Sequence, residues 1–459
     1  TGPKICFTEN KRGFTNATMS RHVQLTFFTR ESRFSVPSDP INVPTTSTIS
    51  DLQNIIAQLL NEESVSFDFL IGNEFIEGTL DEFINKKGIS AETLDVEYTV
   101  RQAAPVVSGE IVHEDFVSCV HRRQNYVLTC AYDGTVQLHT VDERDPIFTL
   151  TLNEKVKVVE WVHLGEAQTE ESLFLTGGFA QVVRLWVWNQ ASRSVRCAAV
   201  CRGHQGTILS MASSNPVNNS KDKLFATGSW DSSIKIWSSD PNETDLSEET
   251  GGISHHRKSE DKIPVRIPRL TLAGHRNMVS KVAWLEEAGQ TQPKLVSCSW
   301  DQTIRVWDVT ASASDTTGKC GESRCISVGS PLHDLSVAPQ GVLVGASDNK
   351  VRIYDLRAKD ALAQIGFQGH TAWLSSVSWA PHRQDQFVTG SVDQSVRLWD
   401  TRNLASSLYD LIGHTDMVTC VDWAAPVLQG MSGSGDKQPQ HYILSSSGDG
   451  TVKIYNYPA

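Results

Sequence analysis

The sequence predicts an all-β propeller of seven blades preceded by a smaller α+β domain, and three observations predict it. Six times an Asp is followed six positions later by an aromatic residue or His that closes an apolar strand: Asp133/His139, Asp231/Trp237, Asp301/Trp307, Asp348/Tyr354, Asp393/Trp399 and Asp449/Tyr455. A seventh ending, Leu185-Trp186, keeps the rhythm with Ala180 at the Asp position. Four of these endings have Gly-His upstream, at Gly203-His204, Gly274-His275, Gly369-His370 and Gly413-His414, with 33, 32, 29 and 41 residues from the His to the closing aromatic. A period of roughly 40 to 50 residues with such anchors marks four-stranded blades, none of which buries its faces without neighbours. The third observation is that the repeat begins only after about a hundred residues whose pattern is that of one compact, non-repeating unit.

In chain order, residues 1–20 have no periodicity, and Met19 is the expected natural start behind a leader that is disordered or foreign to the protein. The α+β domain is expected over 21–102. Val23 to Thr29 alternates like a strand, and a second strand is expected from about Phe34 to Val43 across a turn. Thr48 or Ser50 caps a helix in which Leu52, Ile55, Ile56, Leu59 and Leu60 recur at helical spacing. Phe67 to Ile71 forms a strand, Gly72-Asn73 a turn, and a short strand follows around Phe75 and Ile76. A short helix, Leu80 to Lys87, stops at Gly88, and a last strand runs from about Leu94 to Val100. That order of elements is the order of the ubiquitin-like fold. The last strand continues into Arg101-Gln102-Ala103-Ala104-Pro105 with no terminal Gly-Gly to conjugate, which leaves docking as the domain's role.

Residues 103–112 are a linker and closing strand. Only four residues follow Tyr455, so the seventh repeat lacks its outermost strand, and a strand from before the first repeat must supply it and remove the exposed edge. The propeller is expected over 113–459, with polar insertions at 238–264, 311–324 and 428–440. Within the first insertion stands His255-His256-Arg257-Lys258, read as solvated rather than as metal ligands, so no intrinsic metal or cofactor is expected.

The anchors have a physical reason. Four positions before each repeat Asp stands a hydroxyl, at Thr129, Thr227, Ser297, Thr389 and Ser445, with Val344 as the exception. These residues resemble the WD-repeat (WD40) family, in which His, Ser/Thr, Asp and Trp form a hydrogen-bonded chain inside a blade. A buried carboxylate is tolerated where such partners satisfy it. The resemblance implies four structural sets: His204, Thr227, Asp231 and Trp237; His275, Ser297, Asp301 and Trp307; His370, Thr389, Asp393 and Trp399; and His414, Ser445, Asp449 and Tyr455. The same residue types make a hydrolase triad, but a triad occurs once per active site, whereas this set recurs from blade to blade with Trp as a fourth member. No Walker loop, His-Glu-x-x-His or GxSxG motif is present, and no catalytic residue is assigned.

Composition narrows the function further. With 41 basic and 53 acidic residues the net charge is −12, the wrong sign for a protein whose main task is gripping phosphates. The best local basic run, His121-Arg122-Arg123, is read as a solvated turn. Nine cysteines without a CxxC pattern point to free thiols in a reducing compartment. No apolar run approaches the ~18 residues of a membrane span and no signal peptide opens the chain, so neither a membrane nor secretion is expected.

The strings Phe27-Phe28-Thr29-Arg30-Glu31, Phe67-Asp68-Phe69-Leu70-Ile71, Lys86-Lys87-Gly88 and Val96-Glu97-Tyr98-Thr99, on a ubiquitin-like domain followed by a WD propeller, resemble the ribosome-biogenesis factors of the pescadillo (PeBoW) complex. The resemblance covers the chain from about residue 21 onward. It implies a non-catalytic factor in maturation of the large (60S) ribosomal subunit and its rRNA, acting on the pre-60S particle in the nucleolus and nucleoplasm. It also implies partners: the block-of-proliferation WD-repeat protein through the propeller, pescadillo in the same complex, and the AAA ATPase midasin through the ubiquitin-like domain. In that family a carboxylate in the loop before the last strand completes the coordination of a Mg²⁺ held by midasin's adhesion domain, a hard cation that an anionic oxygen suits best. The matching stretch, Lys86 to Leu94, is one residue shorter than the family's, and it makes Glu92 the donor, with Asp81, Glu82 and Asp95 as competitors. Trp230 and Trp300 precede a repeat Asp and Trp373 follows a Gly-His; these are candidate partner contacts or, equally, packing between blades. The alternative function is a ubiquitin-pathway WD-repeat adaptor.

Overall fold

The computed structural model describes residues 21–62, 64–90, 92–143, 145–165, 171–214, 224–243, 263–285, 294–309, 321–358, 363–424 and 440–457. They fall into two compact units, one ending at Arg101 and the other beginning at Gln102. The leader 1–20, His255 to Lys258 and most of the three expected insertions lie outside the described residues.

The first unit contains strands β1 (His22–Phe28), β2 (Ile41–Pro44), β3 (Phe67–Ile71), β4 (Glu74–Phe75) and β5 (Thr93–Val100), with helices α1 (Ile49–Leu60) and α2 (Leu80–Lys87). The sheet order is β2-β1-β5-β3-β4, with β1 parallel to β5 and the other pairs antiparallel. Alternation in β1 sends Val23, Leu25 and Phe27 inward, where they meet Leu52 and Ile56 of α1 and Val96 and Tyr98 of β5. Each such side chain contributes roughly 1.5–3 kcal/mol on burial. Both helices begin with a capping box, Thr48 with Asp51 and Thr79 with Glu82, and α2 stops where Gly88 adopts φ 64°. The second strand is shorter than the expected Phe34 to Val43. Ser32–Phe34 is a single 3-10 turn, Pro37 and Pro40 lack the amide hydrogen a ladder needs, and pairing starts at Ile41.

The second unit is a β-propeller. Its described strands make seven sheets of four strands, the second carrying a fifth. The innermost strands are Val117–Arg123, Val156–His163, Ile208–Ser213, Val279–Leu285, Leu332–Ala338, Leu374–Trp379 and Val418–Asp422. Each packs on the next and the last on the first, which closes a ring around a central channel. The outermost strand of the last sheet is β6 (Val106–Val112), antiparallel to Thr451–Tyr457 with Ile111 opposite Val452.

Two further expectations are corrected. The run His121-Arg122-Arg123 is not a solvated turn but the end of the first innermost strand. Arg122 is 2% exposed; its backbone N–H donates to Asp422 Oδ2 at 2.6 Å, its Nε donates to Gln124 O at 2.7 Å, and its guanidinium lies 5.1 Å over the Tyr442 ring. Those donors hold the fold together and do not reach for phosphates. The insertion expected at 311–324 ends earlier, because Glu322–Ser327 is the outer strand of the fourth sheet, paired with Thr303–Trp307. Val265–Arg266, immediately after the first insertion, pairs in parallel with Val200 and Cys201 as the fifth strand of the second sheet. Among the described residues no helix is long and apolar enough to cross a membrane.

Candidate interaction sites

The repeated anchors come together inside their blades. His204 Nδ1 lies 2.8 Å from Asp231 Oδ2, its Nε2 lies 2.7 Å from Thr227 Oγ1, and Trp237 Nε1 donates to the same hydroxyl at 2.9 Å. The corresponding distances are 2.8, 2.7 and 2.8 Å for His275, Asp301, Ser297 and Trp307. They are 2.9, 2.7 and 2.9 Å for His370, Asp393, Thr389 and Trp399. His414 lies 3.0 Å from Asp449 and 2.7 Å from Ser445, and Tyr455 is buried where the others have Trp. A carboxylate facing an imidazole nitrogen makes that nitrogen the protonated one, so the three sets with Trp run from Trp N–H to hydroxyl oxygen, hydroxyl O–H to Nε2, and Nδ1–H to Asp. Burial opposes ionisation of Asp231, but His204, Ser233 and the Gln205 N–H outweigh it and hold the carboxyl well below the usual range. The same balance brings Asp449 down to about 2. Thr227, Ser297, Thr389 and Ser445 are 0% exposed, out of reach of any substrate, so these sets cannot act as nucleophilic triads.

The remaining blades use parts of the chain. In the first, His113 Nε2 meets Thr129 Oγ1 at 2.8 Å, while Asp133 binds the Thr135 hydroxyl and amide instead of the imidazole. In the second, Trp186 Nε1 donates to Thr176 Oγ1 at 2.9 Å. In the fifth, where Val344 replaces the hydroxyl, Asp348 pairs with Arg352. Sequence reasoning missed His113, which follows Val112 instead of Gly, and Thr176, which stands four before Ala180 and was open to the same spacing rule.

Around the channel mouth lies an aromatic rim. Trp230 and Trp373 are 57% and 53% exposed, free to meet a partner. Trp300 is half-buried and lies edge-on to His333 at 5.4 Å, and His333 stacks on Trp373 at 5.8 Å, so Trp300 and Trp373 pack on the same imidazole. On the opposite arc Phe116 stacks on Tyr132 at 4.8 Å, Phe179 meets Tyr132 edge-on, and the Lys155 and Lys157 ammonium groups lie 5.7 and 5.9 Å over the Tyr132 ring. Tyr132 stands before the repeat Asp, as Trp230 and Trp300 do, and Phe179 stands before Ala180 in the same register; that shared position was a usable signal.

In the first unit, Glu92 is exposed in the loop entering β5, with its backbone carbonyl accepting the Gln24 N–H at 3.0 Å. Its carboxylate forms no ion pair among the described residues. Two competitors are committed elsewhere: Glu82 accepts the Thr79 N–H at 3.2 Å and Asp81 accepts from Asn85 at 3.1 Å. Asp95 is exposed on β5 itself, and no cluster of metal-ligating side chains occurs among the described residues.

Comparison with known proteins agrees with this architecture. Residues 23–84 match the NLE (NUC135) domain. Residues 108–140, 195–238, 266–308, 362–400 and 405–456 match the WD domain, G-beta repeat. The chain is 33% identical over 444 residues to the ribosome biogenesis protein WDR12 homolog of Aedes aegypti, covering 94% of this chain and 95% of the relative. It is 31% identical over 453 residues to that of Ixodes scapularis, covering 95% of this chain and 98% of the relative. With an N-terminal NLE domain, a WD-repeat propeller and this identity over nearly the whole length, the chain belongs to the WDR12 family of ribosome biogenesis proteins.

Proposed function

We propose that this protein is a non-catalytic assembly factor of the large (60S) ribosomal subunit and its rRNA maturation, in which a seven-bladed propeller is the anchor and a ubiquitin-like domain is the handle. The propeller binds the block-of-proliferation WD-repeat protein, and through it pescadillo, on the pre-60S particle in the nucleolus and nucleoplasm. The ubiquitin-like domain docks on the adhesion domain of the AAA ATPase midasin, where Glu92 completes the partner's Mg²⁺ shell and the motor removes the factor. The mixed sheet order β2-β1-β5-β3-β4 supports the handle's fold.

The single observation that carries the reading is the Glu92 carboxylate. It stands exposed at the entrance to β5 on a backbone fixed by Gln24, while Asp81 and Glu82 are spent inside α2. A hard divalent cation with one open position needs one such anionic oxygen from outside. The test is affinity purification of wild-type and Glu92→Gln chains from their own cells, with and without chelator. Loss of a giant AAA ATPase in the variant and on chelation, with nucleolar partners retained, is the expected result. An ATPase signal unchanged by both would overturn the Glu92 assignment. Capture of ubiquitin-pathway proteins in place of ribosome-assembly proteins would favour an adaptor.

A further inference from the structure

Cys119 and Cys420 stand on the innermost strands of the first and last blades, Val117–Arg123 and Val418–Asp422, which pack together where the ring closes. Their sulfurs are 4.0 Å apart although 301 positions separate them in the chain. Both are partly exposed and line the central channel, a cavity of about 270 Å³ that also takes in Lys281, Asp334 and Ser376. By contrast Cys130, Cys201 and Cys298 are buried.

We propose that Cys119 and Cys420 are a reversible thiol-modification site, which a peroxide entering the channel converts to a disulfide stapling the first blade to the last. A disulfide needs the sulfurs at about 2.05 Å, so side-chain rotation on two strands already in contact has to close the remaining gap. The roles of the two thiols differ. The S–H of Cys119 donates to Cys420 Sγ, and this bond together with the Lys281 ammonium draws the Cys420 thiol below its ordinary value. The same bond and burial push the Cys119 thiol up. Lys281 itself stays charged: burial works against it, and the Asp334 carboxylate 3.2 Å away more than compensates. The S–H that Cys119 turns toward Cys420 and the Lys281 ammonium in the same channel lining assign the nucleophile to Cys420 and the resolving role to Cys119.

In the first step the Cys420 thiolate attacks the peroxide O–O bond; one oxygen stays on sulfur as a sulfenic acid, and the other leaves as water after taking a proton. In the second the Cys119 sulfur attacks the sulfenic sulfur, the S–O bond breaks, the S–S bond forms, and a second water carries off the Cys119 proton. Two thiols lose two electrons and one hydrogen peroxide becomes two waters. The first and last blades meet at this seam through packing and hydrogen bonds, such as Arg122 N–H to Asp422 and the Thr419 hydroxyl to Val117 O, and through β6 at the outer edge; the staple adds a covalent closure of the ring.

The test treats the full-length reduced chain with hydrogen peroxide, digests it without reduction and identifies cross-linked peptides by mass spectrometry. The expected product joins Cys119 to Cys420, disappears on dithiothreitol treatment, and shifts the unfolding equilibrium in urea about tenfold or more toward the folded chain, as a constraint on a long closed loop implies. In a Cys119→Ser chain the reaction stops at the sulfenic acid, and dimedone labels Cys420. The proposal is overturned if the wild-type chain gives no Cys119–Cys420 peptide while the exposed Cys325 is oxidised, or if the two cysteines take up oxygen separately. Dimedone labelling of Cys119 in a Cys420→Ser chain, with no labelling of Cys420 in Cys119→Ser, overturns the assigned roles. The wild-type cross-link is informative whether or not either variant folds.

Discussion

Replacing Thr227 by Val keeps most of the side-chain volume and removes one hydroxyl, which isolates the energetics of a blade's internal chain. That hydroxyl accepts from Trp237 Nε1 at 2.9 Å and faces His204 Nε2 at 2.7 Å, and all three residues are at most 7% exposed. Water cannot take its place, so the substitution strands one donor and one acceptor. Each stranded buried group costs about 1–3 kcal/mol, and the pair is expected to cost about 2–4 kcal/mol. Thr176→Val supplies the control, because Thr176 is equally buried but satisfies only Trp186 Nε1, also at 2.9 Å, with no His in the chain. It strands one donor and should cost about 1–2 kcal/mol. The assay is urea unfolding followed by far-UV circular dichroism, with stability changes taken from midpoints at a common slope. Equal losses for the two variants, or a loss below about 1 kcal/mol for Thr227→Val, would refute the view that the His link adds its own stabilisation.

Acid should unfold the chain in two stages. Burial holds His113 and His382 down to about 4, so the unfolded chain binds their protons first, and the stability they contribute, complete above about pH 6.5, is lost as pH falls toward 4. Asp449 is held at about 2, its hydrogen bonds from Thr451, the Thr415 amide and His414 overcoming burial, so its contribution is complete above about pH 4 and lost as pH falls through 2. A urea midpoint that rises on acidification from pH 7 to 4 would contradict this. A chain of residues 102–459 keeps β6 and should be monomeric by light scattering, whereas residues 113–459 leave the strand Thr451–Tyr457 as an open edge and should aggregate. Monomeric behaviour of both would show that β6 is dispensable. Trp230→Ala and Trp373→Ala change groups more than half exposed and should shift stability by no more than about 0.5 kcal/mol while weakening capture of the propeller's protein partner. Unaltered capture would remove the rim from the docking surface.

What could be read from the residues alone was set by how far apart the interacting groups lie in the chain. The repeats were legible because each blade fixes its anchors locally: hydroxyl, Asp and Trp occupy two strands joined by one tight turn, and their spacing survives any loop length elsewhere. The helix caps Thr48 and Thr79 and the stop at Gly88 were open to inspection for the same reason, since each bond spans three or four residues. The start of the second strand was misjudged because Pro37 and Pro40 were given too little weight, and their missing amide hydrogens decide where pairing can start. The misreading of Arg122 has a different origin. Nothing within ten residues of it says that Asp422 and Tyr442 will come to lie against it; only closure of the ring brings residues 300 and 320 positions away into contact. Cys119 and Cys420, on the same two strands, are subject to the same blindness. The closing seam repeats the link from a backbone N–H to a neighbouring strand's side chain that joins other innermost strands, as from Trp161 to His121 and from Trp423 to Ser378, but it does so between the two ends of the array, where no short separation along the chain announces it. It is also where a polar strand end and two unpaired thiols were free to depart from the blade pattern.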